Sequence, residues 1–181
     1  ACDEARLWLL LGLNAGFAQA ECLSLRWNEI ENQPPKIKRI RQKSRVFDEF
    51  QLWPETIESL EWWRATEGDA RPLVICRDDA GSYTHAKISN AWAKLGSRIP
   101  GAEAWWLSFK HVRKTAAQLV RDASCDENAG VFLCHGKPVQ TDELSDAYRN
   151  RPFSRVPEAL HQAHRHLAPS FATAPYPFIA Q

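Results

Sequence analysis

The stretch between Pro34 and Pro54 constrains the fold of this chain more than any other. Pro34-Pro35 marks a loop, and Lys36-Ile37-Lys38-Arg39-Ile40-Arg41-Gln42-Lys43-Ser44-Arg45 follows with six cations and no acid. Val46 to Trp53 is rich in strand-favouring residues. Pro54 then suits the first position of a helix, where its missing N–H leaves no bond unmade. The two halves read as a β-hairpin. Ile37 and Ile40 fall on opposite faces of an alternating strand, which leaves the register open.

The chain on either side reads as helix. Asp3 and Glu4 favour a first turn, and the dense apolar stretch Leu7–Leu13 that follows must be buried on nearly every side until Asn14-Ala15-Gly16 ends it. A second helix covers Gln19 to Leu25, with Trp27 packing after it. A third runs from Pro54 through about Thr66. Leu73–Cys76 is a short buried strand or its remnant, and Thr84 to Leu95 is helical. The clearest helix is Ser108 to Val120, where Val112, Ala116 and Leu119 fall at i, i+4 and i+7. Shorter helices are expected at Glu127–Leu133, Asp142–Tyr148 and Pro157–Leu167. The tail Ala168–Gln181, with three prolines, is expected to be an extended arm. The fold class is therefore mainly α with a small antiparallel β-sheet, an α+β domain over residues 1–167 followed by the arm 168–181.

A chain of 181 residues suffices for one domain with a full core. Its 44% hydrophobic and 25% charged residues are a globular composition, and no apolar run reaches the length of a membrane span. Cys2, Cys22, Cys76, Cys125 and Cys134 form no CxxC pair and leave an odd one out, against a disulfide framework or zinc site and in favour of a reducing, cytoplasmic setting. His161, His164 and His166 have the spacing of an amphipathic helix and no acid or cysteine partner, so no metal is expected. The eight tryptophans are read as packing residues rather than as platforms for stacked bases. A net charge of +1 says nothing about nucleic acid, but the cations are unevenly distributed.

Four segments carry residues that do chemistry. In Lys110-His111-Val112-Arg113-Lys114-Thr115, Lys110 and Arg113 are three apart on a helix and share a face. They either clamp a phosphate or form a solvated basic face. His135, in Leu133-Cys134-His135-Gly136, either meets a phosphate oxygen or transfers a proton, or else caps a helix end. Tyr148 follows thirteen residues later; a tyrosine there is packing material, or a phenol that attacks phosphorus. Lys43, at the hairpin turn, either protonates a leaving oxygen, or adds ordinary affinity for a DNA backbone, or protects a solvated edge strand.

Taken in order, these segments resemble the tyrosine recombinase, or phage integrase, family. Its pattern runs Gly-Leu-Arg-x-x-Glu-Leu-x-x-Leu-Arg-Trp, then a hairpin with R-x-K-[TS], a helix with [HKY]-x-x-R-[HK]-T, then Leu-Gly-His and a Tyr. Gly16-Phe17-Ala18-Gln19-Ala20-Glu21-Cys22-Leu23-Ser24-Leu25-Arg26-Trp27, Arg41-Gln42-Lys43-Ser44, Lys110–Thr115, Leu133-Cys134-His135 and Tyr148 match it over residues 5 to 165. The resemblance implies the recombinase catalytic-domain fold and strand cleavage through a 3′-phosphotyrosyl link. Tyr148 would be the nucleophile, Arg113 and Lys110 would bind the non-bridging oxygens, and His135 would support them. Lys43 would be the general acid and Glu21 would orient its neighbours. Lys36, Lys38, Arg39, Arg41, Arg45 and Lys114 would contact double-stranded DNA. The resemblance implies no metal or other cofactor, an N-terminal DNA-clamping domain before Ala1, and a tetramer on DNA; the C-terminal arm Pro169–Gln181 either docks onto a neighbour in it or folds back in cis.

The main departure is Ala18, which stands three residues before Glu21 where the family has its first catalytic arginine. Either the position is substituted, or a cation such as Arg39 or Arg45 comes from elsewhere, or the chain binds DNA without cutting it. The segment Asn14–Glu21 is similar to a divergent integrase-like group with a small residue here. Lys110 in place of His, Cys134 in place of Gly, and a longer interval from His135 to Tyr148 are smaller departures.

Overall fold

Helix α1 (Asp3–Asn14) buries Leu7, Trp8 and Leu11 completely, as its apolar run requires. The structure, a computed structural model, describes residues 3–67, 71–75, 83–97, 108–134 and 155–173. Glycine at position 12 lets another helix come close, since a Cβ there would stand 2.7 Å from Val112 Cγ1. Gly16 follows α1 in the left-handed region (φ +60), where a helix commonly ends on glycine. A short α2 (Gln19–Ser24) and a 3-10 turn at Trp27–Glu29 lead into the sheet.

The sheet has three antiparallel strands in the order β1-β2-β3: β1 (Ile30–Asn32), β2 (Pro35–Ile40) and β3 (Phe47–Gln51). The hairpin of β2 and β3 is the expected one, and β1 is a further strand beside it. The register Ile37↔Phe50, Lys38↔Glu49 and Arg39↔Asp48 answers the question of the two isoleucines. Ile37 points into the core, whereas Ile40 is exposed. The period of two divides the cationic run in the same way. Arg39 lies on the inner face and is 6% exposed, while Lys36 and Lys38 lie on the outer face against acids.

Asn14, fully buried, joins α1 to the end of this sheet. Its Nδ2 donates to the Gln51 carbonyl (2.9 Å) and its Oδ1 accepts from the Trp53 N–H (2.8 Å). Helix α3 (Pro54–Glu67) starts at the expected proline. Leu73 forms one antiparallel bridge with Arg26, and Val74 and Ile75 are buried, so the expected strand is a remnant; Cys76 lies outside the described residues.

Helices α4 (His85–Gly96), α5 (Lys110–Ala123), α6 (Asp126–Phe132) and α7 (Val156–Thr173) complete the described chain. On α5 the buried stripe is Val112, Ala116 and Val120, and the expected Leu119 is only partly covered. The helix α7 runs six residues past the expected end at Leu167, through Pro169, so Ala168–Thr173 is not an extended arm. Phe171 holds this last turn, with its ring centroid 5.8 Å from His164 and 6.1 Å from Trp53. Residues 174–181 of the arm and the expected helix 142–148 lie outside the described residues. The chain is thus mainly α-helical with one small antiparallel sheet among its described residues.

Candidate functional site

Glu21 is the centre of the site. It occupies the third position of α2, where its Oε2 accepts the Ala18 N–H at 2.8 Å and satisfies a donor that the first turn leaves free. Its Oε1 accepts from Arg41 Nε at 2.7 Å. Burial raises the carboxyl's pKa, but the Arg41 hydrogen bond and charge, the Ala18 amide and the Arg113 charge outweigh it. The net result holds Glu21 below its ordinary value.

Arg41 extends β2 beyond Ile40 on the inner face that carries Ile37 and Arg39. The turn is closed by Arg41 N–H to the Val46 carbonyl (2.8 Å) and Arg45 N–H to the Arg41 carbonyl (2.7 Å). Arg41 Nη1 then donates to the Leu133 carbonyl at 2.9 Å. Arg113 comes from the opposite side, on α5. Its Nη2 donates to the same Leu133 oxygen at 2.8 Å, and its Nη1 donates to the Gly16 carbonyl. Leu133 caps the C-terminus of α6, where carbonyls lack helical partners and cations are favoured. Burial and then the Arg41 charge lower the Arg113 pKa from its ordinary value.

The next residue, Cys134, has φ 53, a left-handed conformation that suits glycine, the residue the family pattern has at this point. Its Sγ lies 3.5 Å from Asp48 Oδ2, and burial followed by the Asp48 charge pushes the thiol up to about 12. Arg39 has a different role from the one expected. It donates to the Glu21 carbonyl and to Ser24 Oγ, both at 3.0 Å, and its guanidinium lies 5.2 Å from the Phe17 ring centroid. It fastens β2 to α2.

The structure therefore brings together Glu21, Arg41 and Arg113 among the expected site residues. Lys36 and Lys38 are half-buried and paired with Glu31 and Glu49. Lys43 and Arg45 at the turn, and Lys110 and Lys114 on α5, have exposed side chains with no ion pair among the described residues. Lys110 does not join Arg113 on the Leu133 carbonyl. Tyr148 and His135 lie outside the described residues. Among those described, no group of three or more His, Cys, Asp or Glu side chains is placed to hold a metal ion, and no helix is long and apolar enough to cross a membrane. The pairing of Arg41 with Glu21 was missed in the sequence, although its signal was there: Arg41 stands two positions after Arg39, so both fall on one strand face. The Gly16 and Leu133 carbonyls had no signal, because a main-chain acceptor is present at every residue.

No protein-family model matches the sequence, and no curated protein matches it. Among solved structures, the fold is similar to that in "Crystal structure of XerA recombinase", with a TM-score of 0.54 and 14% sequence identity. The likeness covers 90% of this chain and 63% of that one, so the chain spans less than two thirds of its length. At this identity the likeness concerns the fold.

Proposed function

We propose that the chain is a DNA-handling domain of the tyrosine-recombinase kind, which cleaves and rejoins strands through a phosphotyrosyl link at Tyr148. The observation that carries the reading is the meeting of Glu21, Arg41 and Arg113 beside the Leu133 carbonyl. Three segments far apart in sequence supply these groups, and each holds one of the motifs that resemble the recombinase pattern. The fold likeness to XerA recombinase supports it.

In this reading the Tyr148 phenol loses its proton to solvent as its oxygen bonds to phosphorus and the bond to the 5′-oxygen breaks, and Lys43 gives the leaving 5′-oxygen a proton. Arg113 and Lys110 stabilise the charge that grows on the non-bridging oxygens, with His135 beside them. Glu21 positions the cations. Lys43, Arg45, Lys110 and Lys114 are the exposed cations that meet the phosphates of duplex DNA. Assembly as a tetramer on two duplexes, with a clamping domain N-terminal to this one, belongs to the same proposal.

A second reading has an observation of its own. Ala18 offers a methyl group where the recombinase pattern has a cation, which favours a domain that binds DNA without cutting it. Nicked duplex DNA that traps a covalent intermediate separates the two. A protein–DNA adduct in the wild type that is lost in Tyr148→Phe supports cleavage. An adduct formed only by Ala18→Arg supports the binding domain. Absence of DNA binding altogether would overturn both.

A further inference from the structure

We infer that Arg41 and Arg113 form a two-guanidinium oxyanion site, and that Arg41 is the second guanidinium on the phosphodiester in a chain whose residue 18 is alanine. The nature of the anion rests on the proposed DNA-handling function; the site itself rests on geometry.

Two arginines from different elements donate to one oxygen, the Leu133 carbonyl. Like charges brought together in partly buried surroundings repel each other, and here the fold holds them in place from three sides. The Gly16 carbonyl fixes Arg113, the Glu21 carboxylate fixes Arg41, and Leu133 fixes both. Glu21 is hydrogen-bonded to Arg41, and Arg113 feels its charge without a hydrogen bond to it. Asp48, the next acid, lies against Cys134 and opposite Arg39 in the sheet. Among the described residues only one of the two guanidiniums is hydrogen-bonded to a carboxylate, which favours an anion beside the other. Among the described residues Arg41 Nη2 has no hydrogen-bond partner, and the side chain keeps 13% of its surface exposed.

The other two arginines of the run are placed differently. Arg39 is buried, with its guanidinium nitrogens on Glu21 O and Ser24 Oγ and the group packed on Phe17. Arg45 is exposed at the turn. Arg41 alone of the three shares the carboxylate that also holds the Ala18 amide. Charge on a transferring phosphoryl group is spread over several oxygens, so a second guanidinium offers stabilisation that one cannot reach.

The test is a titration of the full chain with inorganic phosphate, followed through the side-chain NMR signals of its arginines. Arg41 and Arg113 should shift together along one binding curve, and Arg41→Gln and Arg113→Gln should each weaken phosphate binding by about tenfold. Adding Ala18→Arg to Arg41→Gln should restore it, which a purely structural Arg41 would not allow. The wild-type titration is decisive even if Arg41→Gln fails to fold. A shift at Arg113 without one at Arg41 would overturn the inference and leave the DNA-handling reading standing. If neither signal moves and duplex DNA affinity is indifferent to Arg113→Gln, both are overturned.

Discussion

Arg41 and Arg113 meet at a single acceptor, the carbonyl oxygen of Leu133, at 2.9 and 2.8 Å. The arrangement ties the hairpin to α5 through the end of α6. It makes the fold and the site depend on the same few bonds.

Glu21 should make the protein sensitive to acid. Its folded pKa lies below the ordinary 4.5, so the unfolded chain takes up the proton first as pH falls. The stabilisation is complete above that ordinary value and is lost as pH drops through the folded one. Glu21→Gln should be less stable than wild type near neutrality by about 1–3 kcal/mol, and should lose less on acidification. Urea midpoints measured above and below the window check this; parallel losses in both proteins would remove Glu21 from the account.

Gly16→Ala should destabilise the fold by about 1–3 kcal/mol, since residue 16 has φ +60 and a Cβ would stand 2.8 Å from the Phe132 ring. The same change at Gly96, where nothing lies within 4 Å, should be neutral or stabilise by up to about 1 kcal/mol. Equal effects in urea unfolding would contradict the placement of Gly16.

Thiol reagents should discriminate among the cysteines. Cys125 is exposed, whereas Cys22 and Cys134 are buried and both thiols are shifted upward, chiefly by burial. Mass spectrometry after brief alkylation at neutral pH should find label on Cys125 and little on the other two until denaturant is added. Fast labelling of Cys134 in the folded protein would refute its contact with Asp48.

Lys43→Ala should weaken binding to duplex DNA at low salt and reduce the slope of log K against log salt by about 0.9. Lys38→Ala should have the smaller effect on that slope, because Lys38 is already paired with Glu31 at 2.8 Å. Equal slopes for the two variants would show that the turn is not where phosphates bind.

Much of this architecture was legible because local signals agreed with the fold. The apolar run of α1, the proline at the start of α3 and the periodic α5 each specify an element with little help from tertiary contacts. The strand β1 was not legible, since its three residues gain their pairing only from Pro35, Lys36 and Ile37 across the turn. The end of α7 was misread because Pro169 argues against a helix, and the packing of Phe171 on Trp53 and His164 outweighs that local preference. At the site, the residue types were readable but their partners were not. Arg39 and Arg41 look alike in sequence, and only the contacts distinguish a buried strut from a cation beside a second guanidinium.

The two faces of the hairpin have unequal electrical character. Outward, Lys36 and Lys38 are matched by Glu31 and Glu49, so that surface is nearly silent to a distant polyanion. Lys43 and Arg45 at the bend have no ion pair among the described residues. In a molecule with a formal net charge of only +1, the described part of the hairpin thereby has a polarity, and an approaching polyanion would be turned toward the bend before any contact forms.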